Sequence, residues 1–124
     1  MLGKKPVVGA LCLLAAGCGP ALAEMSARTF LDNYDKYGVP MQDFYEKMLG
    51  ANENGMSWAN AAIEVEGGVK LYCMPDSLAL APQQNVQILR QYVTDHPEHA
   101  KRPFGLVLLS ALRETFPCPA GKRP

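Results

Sequence analysis

From Met41 the apolar positions run Met41, Phe44, Tyr45, Met48 and Leu49. The spacing i, i+3, i+4, i+7, i+8 predicts one buried stripe along an α-helix. Upstream, Phe30, Leu31 and Tyr34 mark a shorter helix with Ser26 as N-cap, running to about Lys36. Gly38 ends it and Pro40 opens the next. Between Gly50 and Ser57 two glycines and two asparagines interrupt the stripe, which predicts a weakened or broken helix there. Helical spacing resumes at Trp58, with Ala59, Ala62 and Ile63, and Gly67-Gly68 turns the chain. A helix from Pro82 to Asp95 sets Val86, Leu89 and Val93 on one face, Ile88 and Tyr92 beside them, and Gln83, Gln84, Gln87, Arg90 and Gln91 towards water. Ala81 is a poor N-cap for it, although Pro82 suits the first turn. The segment from Pro103 to Phe116 is apolar on nearly every side, which predicts a central helix. No alternating stretch of useful length suggests a strand. The fold class is all-α, a small bundle of about four helices.

The N-terminus decides how the cysteines are read. Lys4 and Lys5 precede an uncharged apolar run from Val7 to Ala16, and Ala21-Leu22-Ala23 supplies the small residues that a signal peptidase reads. This predicts a signal peptide over residues 1–23, cleaved before Glu24, and one domain over residues 24–124. The apolar run is too short for a stable membrane span, which wants about 20 residues. Leu14-Ala15-Ala16-Gly17-Cys18 is close to a lipobox, so a lipoprotein anchored through Cys18 is the alternative. Either route takes the protein out of the cytosol. Cys73 and Cys118 then remain as a pair in an oxidising compartment, each one or two residues from a proline and so at a helix edge. The expectation is a structural disulfide joining the open ends of a helical hairpin. In the chain-entropy model, closing a loop of that size contributes roughly 4 kcal/mol. The 12 basic and 12 acidic side chains of the whole chain balance, and losing Lys4 and Lys5 tips the remainder slightly acidic. No basic stripe invites nucleic acid.

Candidate chemistry is sparse. The two histidines stand in His96-Pro97-Glu98-His99, a composition that invites zinc. Metal-binding pairs want one helical face or a rigid strand, however, and Pro97 breaks this turn, so a solvated interhelical turn without metal is expected. No mature cysteine is free once the disulfide forms, and no serine has a helix-borne histidine to activate it. The carboxylate pairs Glu64 with Glu66 and Asp95 with Glu98 lie outside apolar segments that would raise a pKa. A Gly-rich phosphate loop is absent from the sequence, and no cofactor is implied. These observations predict a binding or structural protein and not an enzyme. The stretch from Gly50 to Trp58, with Asn52, Asn54, Met56 and Trp58, is the first candidate for a partner surface, as an adaptable exposed loop. The turn carrying His96 and His99 is the second. Trp58 also has a competing reading as core packing, which a lone Trp in a small bundle favours. Asn60 is placed to hydrogen-bond the turn at Gly67 or Gly68.

The runs Ser57-Trp58-Ala59-Asn60-Ala61, Leu71-Tyr72-Cys73-Met74-Pro75, His96-Pro97, Ala111-Leu112 and Phe116-Pro117-Cys118 together resemble the Rap/Tai family. Its characterised members are small exported helical proteins of Gram-negative bacteria that act as immunity proteins of type VI secretion systems. Many relatives carry a further cysteine pair in the N-terminal half, where this chain has Asn33 and Tyr34. The resemblance implies a periplasmic inhibitor, often a homodimer, that binds and occludes a peptidoglycan amidase effector. Two other classes fit the same residues: a periplasmic stress or holdase protein, and a lipid-anchored accessory of an envelope complex.

Overall fold

The computed structural model describes residues 24–120 together with Gly3. The rest of the expected leader, and with it the candidate lipid site at Cys18, lies outside the described residues. Four α-helices make up the bundle: α1 (Ala27–Lys36), α2 (Val39–Val65), α3 (Pro82–Asp95) and α4 (Phe104–Thr115), with a 3-10 turn at Pro97–His99.

Ser26 caps α1, its hydroxyl accepting the Thr29 N–H at 3.1 Å. The same end is tied to the segment before α4. Ala27 N–H donates to the Arg102 carbonyl, Arg28 N–H to Ala100, and Phe104 N–H to Met25. Glu24 adds a carboxylate 3.3 Å from the Gly105 N–H, where the positive end of the α4 dipole favours negative charge. At α3, Ala81 has no side chain with which to cap. Gln84 compensates by accepting the Ala81 N–H at 2.7 Å through its side-chain oxygen.

The core forms where the four helices converge. Phe30 meets Tyr45 edge-on at 5.1 Å and stacks on Phe104 at 5.0 Å. Leu49, Val86, Leu89, Leu108 and Leu112 are fully buried around them. α3 packs against both α2 and α4, and α1 touches all three. The last helix is central, as its apolar surround predicts, although Leu106 faces water. One bidentate ion pair clamps α1 to α3, with Arg90 donating to Asp35 at 2.6 and 2.9 Å. The guanidinium hydrogen bond holds the Asp35 carboxyl below its ordinary range.

α2 departs from the expected pattern. It runs unbroken through Gly50, Asn52, Asn54 and Gly55, so the predicted break and the adaptable loop do not form. Extension of an existing helix adds one hydrogen bond per residue fixed, which outweighs the roughly 1 kcal/mol that each interior glycine costs. Of the predicted stripe, Tyr45 and Leu49 are buried and Met48 packs against the core, whereas Met41 and Phe44 are exposed. The helix ends where Gly67-Gly68 predicts. Gly67 takes the left-handed conformation (φ 75°), its N–H bonding the Glu64 carbonyl and that of Gly68 the Ile63 carbonyl, a Schellman closure. A Cβ on Gly68 would lie 2.8 Å from the Ile63 side chain.

The connector from α2 to α3 is irregular and is held at two points. Cys73 and Cys118 form the expected disulfide, closing a loop of 45 residues, and Cys73 N–H donates to the Phe116 carbonyl at 2.8 Å. Asn60 on α2 supplies the second hold. Its amide donates to the Tyr72 carbonyl at 2.9 Å and its oxygen accepts the Leu71 N–H at 2.7 Å. The expected partner was the glycine turn; the bonds go instead to the two residues before Cys73, because those extended groups have no ladder of their own to satisfy them.

Candidate functional site

Two features of the surface stand out from the fold that carries them. The first is the second half of α2. Ala51, Gly55, Trp58, Ala62 and Val65 recur at alternating spacings of four and three, the seam of a helix that packs against another helix. All five face water. Trp58 is 71% exposed and Val65 89%. The core reading of Trp58 is therefore overturned. The reason lies in the helix phase: on a continuous α2 that buries Tyr45, Leu49 and Asn60, Trp58 stands about half a turn round from Leu49 and faces away from the core. Beside the seam, Ala51, Gly55, Met56, Ala59 and Leu71 line a shallow apolar groove open to solvent. Gly55 has nothing within 4 Å of where its Cβ would stand, so the groove floor is open at that point.

The candidate residues of this stretch separate once they are helical. Asn54 and Trp58 are exposed. Asn52 is half-buried and turned towards α4, 2.9 Å from the Cβ position of Gly105, with its amide bonded to the Met48 carbonyl of its own helix. Met56 packs against the core. Glu53, which sequence reasoning passed over, lies beside Tyr72. Burial raises the Glu53 carboxyl, with the Tyr72 hydroxyl opposing. Burial, and then the Glu53 charge, push the Tyr72 hydroxyl up to about 12. The hydroxyl nevertheless makes no full hydrogen bond with the carboxylate, and we read the pair as neighbours in the field sense only.

The second feature is the turn after α3. Pro97 does not spoil it. Proline's fixed φ suits the first position of a helical turn, and the chain forms a 3-10 turn over Pro97–His99. Residues three apart eclipse in such a turn, which brings His96 and His99 into register. Their rings stack at 5.6 Å and 17°, and both lie against Tyr92, at 4.3 and 5.7 Å. His96 Nε2 is 2.8 Å from the Glu114 carboxylate on α4, and the Tyr92 hydroxyl is 2.9 Å from His99 Nδ1. Pro97 and Glu98 of the turn are exposed, as a solvated turn predicts, whereas its two histidines are half-buried and tied to α3 and α4. One ligand atom each from His96, Glu98 and His99 lies within 4.8 Å of the others. The spacing of two histidines was the signal; what it lacked was the turn type.

No helix among the described residues is long and apolar enough to cross a membrane. The family model of the Rap1a immunity proteins matches residues 40–118, from the start of α2 to the second disulfide cysteine. Among curated proteins and among solved structures nothing matches the chain.

Proposed function

This chain belongs to the Rap1a immunity protein family, and we propose a function from that premise and from its surface. In our reading it is a periplasmic antidote, exported by cleavage after Ala23. It binds a peptidoglycan amidase effector delivered through a type VI secretion system and blocks it by occlusion. Occlusion needs shape and contact area and no catalytic group, which accords with the lack of a nucleophile–base pair in the sequence.

The observation that carries this reading is the exposure of Trp58 in the seam Ala51–Gly55–Trp58–Ala62–Val65. A tryptophan has some 150–250 Å² to bury, and folding here leaves most of it in water. Aromatic anchors of this kind, ringed by small residues that let a partner approach, carry the largest share of binding energy at protein interfaces. The α2 seam is therefore the effector-facing surface, with Trp58 as its anchor and Asn54 at its margin.

The test pairs the purified mature chain with exported amidase effectors of rival strains, by pull-down and then calorimetry, alongside a growth-competition assay. Trp58→Ala should cost at least about 2 kcal/mol of binding, roughly a 30-fold loss, with the thermal unfolding midpoint unchanged. If no amidase is retained and expression protects no cell, the immunity reading fails for this effector class. If an amidase binds and Trp58→Ala binds equally well, the face is wrong. Light scattering on the same complex reports whether two copies of the chain take part.

A further inference from the structure

We propose that His96, Glu98 and His99 form a binding site for a divalent transition-metal ion of zinc's class, a property independent of effector binding. Three donors converge. Glu98 Oε1 is 3.8 Å from His96 Nδ1 and 3.7 Å from His99 Nε2. These separations are too long for hydrogen bonds and slightly longer than the edge of a metal polyhedron. A tetrahedral zinc with bonds of about 2.0–2.1 Å sets its donors roughly 3.3 Å apart, so closure asks for a few tenths of an ångström at the carboxylate and somewhat more between the rings. Glu98 is well exposed and its side chain is free to make that movement.

The outer contacts are those a metal-ligating histidine uses. An ionised carboxylate only accepts, so the Glu114 contact places the proton of neutral His96 on Nε2 and leaves the Nδ1 lone pair aimed at Glu98. A carboxylate–histidine–metal relay has this form, with the carboxylate fixing both tautomer and ring. At His99 the Tyr92 hydroxyl engages Nδ1, leaving Nε2 on the Glu98 side. With the Tyr92 hydroxyl accepting from Nδ1–H, His99 keeps its lone pair on Nε2, so two ring nitrogens and a carboxylate oxygen lie within 4.8 Å of one another, and a modest rotation of the near-parallel rings brings all three onto one cation. Imidazole and carboxylate ligands suit zinc, nickel and copper(II) better than calcium or magnesium. Three protein donors leave a fourth position for water or for a donor from another molecule. The packing of both rings against Tyr92 holds the donors in place before the ion arrives.

The experiment titrates zinc chloride into the chelator-stripped mature chain by calorimetry, with thermal unfolding in parallel. One ion per chain is expected, with a melting temperature that rises with zinc. Glu98→Gln should weaken zinc at least tenfold while leaving the melting temperature in chelator unchanged, since Glu98 holds no other element in place. Glu114→Gln touches no metal and should still weaken zinc by roughly 10–100-fold. His99→Ala should abolish saturable binding. The proposal is overturned if zinc gives no saturable heat, or if Glu98→Gln and His99→Ala bind it as the parent does, which would make the ion adventitious elsewhere.

Discussion

The two halves of α2 are one continuous helix put to opposite uses. The first half buries Tyr45 and Leu49 and packs on α1 and α3, so its apolar side chains hold the fold. In the second half Asn60 is the one residue that is fully buried, and it is polar. That half is held by two hydrogen bonds to the connector and by the packing of Met56 against the core, while Trp58 and Val65 stay in water. The difference teaches that apolar content does not by itself locate a core. A helix nucleated by packing at one end extends through weak helix formers and carries a second set of apolar residues out of the bundle. Residues that folding leaves unused are available to a partner.

The largest test of this contrast removes the staple that holds the connector. Replacing Cys73 and Cys118 together with serine should lower stability by roughly 4 kcal/mol, read by urea unfolding, because the bond restricts a 45-residue loop. Substitution within α2 comes next. Leu49→Ala, at a fully buried site, should cost about 2–5 kcal/mol, whereas Trp58→Ala should stay within about 0.5 kcal/mol of the parent. Equal losses would erase the distinction between the halves. Asn60→Ala leaves the Leu71 N–H and the Tyr72 carbonyl without their partner and should cost about 1–3 kcal/mol. Hydrogen exchange at Leu71 should rise with it, and if that amide stays protected the connector is held elsewhere. The smallest effect is electrostatic. Burial raises the folded-state pKa of Glu53, so the folded chain binds that proton more tightly than the unfolded one. Stability from this group is thus present at low pH and lost as pH rises through the carboxylate range. Glu53→Gln should stabilise slightly at pH 7 and flatten this part of the pH profile, and a destabilised variant would mean that the charge is used. Asp35 titrates in the opposite sense: its pair with Arg90 is present above the carboxylate range and lost as pH falls through it.

Helix positions were legible in the sequence wherever the signal was local. The Ser26 cap, the Gly67-Gly68 stop and the Pro82 start rest on residues acting within a few positions of themselves, and the structure follows each. The cysteine pair, 45 residues apart, was legible for another reason: two cysteines left in an oxidising compartment have only each other. The stretch from Gly50 to Ser57 misled because propensity is a weak prior, and an unbroken helix on either side overrides it. Trp58 misled for a related reason: the expected break uncoupled it from the stripe of Tyr45 and Leu49, whereas on an unbroken helix its phase sets it opposite Leu49. At His96 and His99 the composition was visible, but the register of the two rings depends on a 3-10 turn. An extended or broken turn would have separated them. Asn60 was singled out as a hydrogen-bonding residue and assigned the wrong partner, since the path of the connector is set by a disulfide 13 residues further on.

On the proposed export route, the covalent loop sets an order of events. α1 and α2 precede Cys73 and lie outside the loop, whereas α3 and α4 lie within it. A chain that folds as it emerges presents the Cys73 thiol first and must leave it unpaired until α4 has cleared the membrane. Until the leader is removed, Cys12 and Cys18 are also on the chain, and four thiols allow three pairings. On the proposed cleavage after Ala23 two thiols remain, and only one intramolecular pairing is left to make. On that route, leader removal narrows the possible pairings as well as releasing the chain.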